Sequence, residues 1–367
     1  MTFWKIFKNI STIHTHTQID YIIVGQGLTG TLLAHSLLEK GKTINLVDNH
    51  HVGAASKVAA GVINPVTGRR FVKSWLVDEL IPFAKTTYQK LEQQLGVKFF
   101  HQKNILRVLF SIKDENKWLE KTADPTVSKY LLDTASIGNY LGKIDTHAGI
   151  GETQHTAQVN MKLLLEASRI YFEQRGLLTT EKLDYDELKE KEGQVSYKGI
   201  NAKKVIFCEG QQGRQNPWFG NLPFEVAKGE VLLVKIPTAH FEKMLKHSLF
   251  IIPLQNDLYW VGSTYDWDCP DDLPTEEAKQ LLIHKLKKVL KVPFEVVDHL
   301  AAIRPATFDR RPFVGFHPEK KYLGIINGMG TKGASLAPYF VNQFVALLLD
   351  NQPVNPQASV DRFLEKS

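Results

Sequence analysis

The stretch YIIVGQGLTG, residues Tyr21 to Gly30, sets the reading of this chain. Tyr-Ile-Ile-Val is an uninterrupted apolar run, the pattern of a strand buried on both faces. Gly25, Gly27 and Gly30 then follow with G-x-G-x-x-G spacing, and TGTLLAHSLLEKG continues as a helix ended by Gly41. Each glycine has a mechanical reason: Gly25 allows the tight turn, Gly27 admits a pyrophosphate to the backbone, and Gly30 lets helix and strand pack closely. KTINLVD supplies the next strand, and Asp48 closes it 18 residues past Gly30. An acid there accepts hydrogen bonds from ribose hydroxyls and repels a 2′-phosphate. The unit predicts a bound dinucleotide, held by Gly25, Gly27, Leu28, Thr29, Gly30, Asp48 and Asn49.

Composition bounds the rest. The 367 residues are enough for more than one domain, and 43% hydrophobic with 23% charged residues is ordinary for a globular protein. Lys plus Arg number 45 against 39 Asp plus Glu, a net +6 that does not point to nucleic acid. Lys285, Lys287, Lys288 and Lys291 read as a solvated helix face. Cys208 and Cys269 lack metal-ligand spacing and indicate a reducing compartment, so a cytoplasmic location is expected. His14, His16, His50 and His51 have no partnering ligand cluster, and no metal is expected. There is no run of about 18 apolar residues, hence no expected membrane span. Residues 1–18 read as an extension without a secretory h-region. Phe3, Trp4, Ile6 and Phe7 leave peripheral membrane contact open.

Further along, 77–96 and 159–176 read as helices, 97–111 as paired strands, and 225–236 and 247–265 as β-rich. NAKKVIFCEGQQG is an apolar strand ending in glycine, 274–291 is helical, and YLGIINGMG leads as a strand into a last helix, TKGASLAPYFVNQFVALLLD. The βα units at the two ends belong to one sheet, with the β-rich stretches inserted. The expected architecture is α/β: a Rossmann-like cofactor domain (19–76, 150–216 and 300–367) interleaved with a β-rich α+β substrate domain (77–149 and 217–299).

Past Asp48 the chain does not continue as a simple nicotinamide domain. It runs NHHVGAASKVAAGVINPVTGRRFVKSW, whose small residues let the backbone lie close against a flat cofactor. With that loop, the chain resembles the D-amino-acid oxidase / glycine oxidase superfamily of FAD-dependent oxidoreductases from about Asp20 to Phe363. The pieces stand in family order: the FAD turn, SKVAAG, VIFCEG, KGEVLLV, YWVGSTYD, AAIRPATFDRRPFVG and INGMGTKGASLAP. The resemblance implies FAD as cofactor, with Ser56, Ala59, Ala60, Gly61, Gly210, Gly328, Gly330, Thr331, Lys332 and Gly333 joining the turn residues around it. The tail is also a second glycine-rich helix N-terminus, suited to negative charge at the pyrimidine end of a reduced flavin. Val58 stands where some relatives carry a flavin-linking histidine, and neither cysteine falls in the tail, so FAD is expected to be noncovalent.

The implied chemistry is hydride transfer to flavin from a carbon beside an amine, less often a hydroxyl. Arg304, before Pro305, is the expected clamp for a substrate carboxylate, because a guanidinium fork matches a carboxylate bidentately. A structural ion pair with Asp309 is the competing reading. Lys332 and Tyr265 complete the catalytic candidates, with a solvent-facing lysine the competing reading for Lys332; Trp260, Thr264 and Tyr265 are expected on the pocket floor, with plain core the competing reading for Trp260 and Tyr265. Arg69, Arg70 and Lys73 either line the mouth and favour an acidic substrate or are ordinary surface cations. Met329 stands where some relatives carry a polar residue. Trp260 stands where sarcosine-oxidase-like relatives have an oxygen-activating lysine, which leaves oxygen or another acceptor open. The expected partner is a small carboxylate-bearing amine or amino acid. The alternatives are a 2-hydroxy-acid or polyol dehydrogenase of the same superfamily, the flavin module of a tRNA-modifying enzyme, and a flavin-bearing partner without turnover.

Overall fold

The computed structural model describes residues 17–146, 149–191, 193–268 and 271–364. The readings of the extension before Thr17 and of Cys269 lie outside them. The glycine turn joins β1 (Thr17–Val24) to α1 (Leu28–Glu39), and β2 (Ile44–Val47) follows. A short α2 (Ala55–Val58) leads to α3 (Val77–Leu95), β3 (Ile105–Leu109), α4 (Ile112–Thr122) and β4 (Gly149–Thr153). Next come α5 (Met161–Glu173), β5 (Leu178–Thr179), β6 (Gln194–Tyr197) and β7 (Ile200–Phe207). The β-rich part holds β8 (Ala227–Lys235), β9 (Met244–Lys246), β10 (Phe250–Pro253) and β11 (Leu258–Gly262). The chain ends with α6 (Glu276–Val289), β12 (Glu295–Arg304), β13 (Phe313–Phe316), β14 (Leu323–Asn327) and α7 (Gly333–Asp350).

Two eight-stranded sheets result. In the first, β5, β2, β1, β7 and β14 are parallel neighbours, with β13 antiparallel on β14 and β6 antiparallel on the early part of β7. Its strands are apolar on both faces because both are covered. Ile23, Leu46 and Ile206 face a core shared with α1, α3, α5 and α7, while Ile22, Val205 and Phe207 face a second core closed by Phe219 and Phe313. The carboxyl ends of β1, β2, β7 and β14 open at one edge, where parallel sheets present ligand sites.

The second sheet runs β12-β8-β11-β10-β9-β3-β4, continued by Leu131–Leu132. Leu232, Leu245, Ile251 and Val261 turn one face to Leu282, Leu286 and Val289 of α6. Alternation then puts Val231, Lys246, Phe250, Trp260 and Gly262 on the other face, towards the first sheet.

The observed packing departs from the boundaries read off the sequence in three places. Residues 150–153 and 300–304, grouped with the cofactor domain, are strands of the second sheet. Helix α3, grouped with the substrate domain, buries Leu80, Ala84, Tyr88 and Leu91 in the first core. Its amphipathic pattern predicts a buried stripe but not which sheet that stripe meets. No described helix is long and apolar enough to cross a membrane.

Candidate active site

A cavity of about 460 Å³ lies between the two sheets. It collects residues from widely separated stretches of the sequence, and of the expected site it is lined by Gly25, Gly27, Leu28, Thr29, Asp48, Asn49, Ser56, Ala59, Ala60, Gly61, Gly210, Arg304, Gly330, Thr331 and Gly333. Trp260 also lines it, anchored by its indole N–H to the Val58 carbonyl at 2.8 Å.

At the end of the cavity formed by the glycine turn, Asp48 is held from several sides. Its carboxylate accepts from the Gln26 amide at 2.8 Å and the His50 amide at 2.8 Å. Arg169 of α5, buried, donates to Asp48 at 3.3 Å and to the Gln26 side chain at 3.1 Å. The turn and the acid are thus one hydrogen-bonded unit. Sequence reasoning missed Arg169, which stands in an amphipathic helix where a charged residue reads as surface. Arg169→Met is expected to weaken FAD binding about tenfold, the scale of one charged hydrogen bond. Free-FAD titration of the apoprotein measures this; unchanged affinity would mean that the two amides alone hold Asp48.

Ser56 accepts from the Leu28 amide at 3.0 Å, tying the small-residue loop to the start of α1. Gly61 has φ +70, and a Cβ there would sit 1.9 Å from the Val159 carbonyl, so the chain lies flat on its neighbour at this point and Gly61 presents only backbone to the cavity. Together with Gly27, which carries nothing towards the cavity, these residues fit an extended, flat dinucleotide. Cys208 and Glu209 form the wall beyond. Burial pushes the Cys208 thiol far up, which leaves it protonated and inert. Glu209 is also raised by burial; Tyr185 donates to it at 2.6 Å and Asn216 at 2.9 Å.

The other end is built on the second sheet. Arg304, at the end of β12, donates to the Lys228 carbonyl at 3.1 Å, the Ser263 hydroxyl at 2.7 Å and the Thr264 carbonyl at 3.1 Å. A Cβ at Gly229 would lie 1.7 Å from its Nη2, which explains the glycine in KGEVLLV: the guanidinium rests on bare backbone. Among the described residues Arg304 has no ion pair, since Asp309 pairs instead with Arg362 at 2.9 Å. Burial lowers the Arg304 pKa, so this is a partly desolvated cation held in place by neutral acceptors.

Several expected residues do not line the cavity. Gly30 packs behind it against the Gly25 carbonyl, and Gly328 packs against the Thr307 methyl. Lys332, assigned a catalytic role on sequence, turns away to the Ser74 hydroxyl at 3.2 Å, with its pKa lowered by burial and by Arg311 and Arg310. Tyr265, the other catalytic candidate, is 49% exposed beyond the end of β11 and meets the site only as a ring 5.1 Å from the Arg304 guanidinium carbon. Thr264 accepts from the Glu230 amide at 2.8 Å instead of flooring the pocket. Arg69 and Arg70 are exposed outside the lining, and Lys73 pairs with Asp78.

The structure adds Lys246, which lines the cavity next to Phe250 and was not anticipated. Burial, with Arg107 and Lys285 nearby, lowers its pKa to about 8. Below pH 8 the ammonium is charged in the folded and the unfolded chain, and folding bears the full desolvation cost. Between about pH 8 and 10.5 the unfolded chain binds the extra proton, so this contribution to stability rises with pH. Lys246→Met is therefore expected to raise the melting temperature at pH 7 by about 2–4 °C, with the gain shrinking towards pH 10. A gain of equal size at both pH values would exclude the titration as its source.

A dinucleotide turn at a parallel sheet's carboxyl edge, facing an antiparallel floor that carries a clamped arginine, defines a two-part flavin oxidoreductase site. The family model for FAD-dependent oxidoreductases (DAO) matches residues 20–340, and the chain belongs to that family. The glycine oxidase of Bacillus licheniformis is 24% identical over 356 residues, covering 90% of this chain and 93% of that protein. The solved glycine oxidase of Geobacillus kaustophilus superposes with a TM-score of 0.76 at 18% identity, covering 92% of this chain and 96% of that one. The L-proline dehydrogenase of P. horikoshii superposes with a TM-score of 0.75 at 15% identity, covering 95% and 98%. The chain is an FAD-dependent oxidoreductase.

Proposed function

We propose that this enzyme oxidises a small carboxylate-bearing amine or amino acid, with the carboxylate seated on Arg304. The observation that carries this is the unpaired, partly buried guanidinium facing the cavity over bare Gly229. Its hydrogen bonds to carbonyls and a hydroxyl hold the guanidinium in place without neutralising it; an incoming carboxylate bonds to the donors left free or takes over those held by Ser263 and Thr264, and either contact is charge-assisted. When bound, FAD supplies the two-electron acceptor for hydride transfer from the carbon beside the amine. The cofactor is held without a covalent link, since Val58 stands in the loop and the Cys208 thiol is kept protonated.

Arg304 fixes one end of the substrate, while Trp260 and Phe250 give an apolar floor on which the reacting carbon is oriented. The wall carboxylate Glu209 is occupied by Tyr185 and Asn216, and the amine is expected to react as its free base without a protein general base. The test is anaerobic titration of the yellow protein with amino acids, N-alkyl amino acids, 2-hydroxy acids and glycerol. Bleaching by the amines supports the reading. Bleaching by hydroxy acids or glycerol alone overturns it, and a flavin that none of them reduces points away from small substrates. Admitting oxygen to the bleached sample then distinguishes an oxidase from a dehydrogenase by how fast the colour returns.

A further inference from the structure

We infer that the cavity contains a second anion subsite, at Lys246 with Arg107 beside it, and that the substrate is an amine carrying two carboxylates. The inference rests on Arg304 as the seat of the first. Register places the residues: Arg107 of β3 pairs with Lys246, Lys246 with Phe250, Phe250 with Gly262, and Gly262 with Val231. Directly paired residues share a face, so both cations project from the face that floors the cavity.

Neither cation is neutralised. Among the described residues Lys246 and Arg107 make no ion pair, and the Lys246 ammonium has no hydrogen-bond acceptor; it lies 4.5 Å from the Phe250 ring centroid. Arg107 is held by the Gly68 carbonyl at 2.6 Å and lies 4.7 Å from the Phe71 ring centroid, with Asp114 acting on it only at a distance. A cation half-removed from water with three unused donors is costly for the fold alone, and an anionic ligand group offsets that cost. The lowered pKa of Lys246 agrees with this desolvation.

The placement suits a ligand with two acidic ends. The Arg304 fork reaches Ser263, adjacent to Gly262, and the Gly262 backbone stands two strands, about 10 Å, from that of Lys246. Both cations line one cavity, so a short ligand whose two carboxylates lie about 5 Å apart can meet each with charge-assisted hydrogen bonds. An N-carboxymethyl amino acid or an acidic α-amino acid has this form.

The experiment needs no turnover. Holoenzyme is titrated with unreactive glutarate and with butyrate, and binding is read from the perturbation of the flavin absorption bands. Glutarate is expected to bind about tenfold more tightly, the scale of one charge-assisted contact. Lys246→Met and Lys246→Gln are expected to bring the ratio to about one, with Lys246→Arg retaining the preference. Equal binding in the wild type overturns the subsite, as does a preference that survives both neutral variants. Variants that shift the free flavin's bands while keeping the preference would make Lys246 a cofactor contact and overturn it too. Anaerobic reduction by N-ethylglycine and N-(carboxymethyl)glycine tests the amine chemistry separately. If neither bleaches the flavin, the proposed function fails while the acid titration still decides the subsite.

Discussion

Arg304→Met is expected to leave a yellow protein that its substrate reduces only slowly, with kcat/KM down by about a hundredfold to ten-thousandfold. The magnitude follows from removing both prongs of a carboxylate clamp, each charge-assisted hydrogen bond contributing about 1.5–3 kcal/mol. The cofactor should stay, because the turn, Asp48 and the Ser56–Gly61 loop belong to other elements and do not depend on Arg304. The variant also strands the acceptors at Lys228, Ser263 and Thr264, so a modest fall in melting temperature accompanies the kinetic loss. Arg304→Lys separates the two effects: it keeps the charge, loses the fork, and should recover only part of the rate. A KM that rises while kcat holds would mean the arginine merely gathers substrate. Joint loss of both means that it also orients the reacting carbon. Unchanged reduction kinetics in Arg304→Met would remove the basis for the proposed substrate class.

How far the sequence could carry this reading depended on whether each signal was local. The dinucleotide turn, its acid and the Ala-Ser-Gly loop are contiguous motifs whose residues act through their own backbone, and the structure brings them to one cavity. Arg304 was legible because proline and a strand end fix its direction. Lys332 and Tyr265 stand off the cavity for a common reason. Each follows lining residues in the sequence, Thr331 and Ser263, but one step of helix or a few residues past a strand end turns a side chain elsewhere. Lys246 and Arg107 had no local signal at all. They are separated by 139 positions, and their meaning comes from the parallel pairing of β9 with β3, which composition and periodicity do not specify. Helix α3 shows the same limit at the level of the fold: its stripe was predictable, its partner was not.

Gly30→Ala is expected to yield a colourless and less stable protein, although the change adds a single methyl group to a helix, where alanine is intrinsically favoured. The added Cβ would stand 1.9 Å from the Gly25 carbonyl oxygen and 3.3 Å from Cys208 Cβ. Relief is blocked on both sides. Gly25, at φ +96, itself packs closely on the Cys208 carbonyl, whose oxygen lies 2.5 Å from where a Cβ would stand, which leaves it little room to retreat. Helix α1 cannot move outward, because Leu32, Leu33 and Leu37 are locked into the core with α7. Overpacking of this kind typically costs about 1–3 kcal/mol, and here the displaced atoms are the amides that face the pyrophosphate. Gly27→Ala provides the contrast. Its Cβ would meet only the Ser56 hydroxyl at 3.3 Å, so the fold should survive while the phosphate approach is obstructed. Melting curves and bound-FAD absorbance on the two variants therefore distinguish packing from ligand contact: Gly30→Ala should lower both, Gly27→Ala chiefly the second. A yellow Gly30→Ala protein with native melting would mean that the strand–helix junction has slack these distances do not allow.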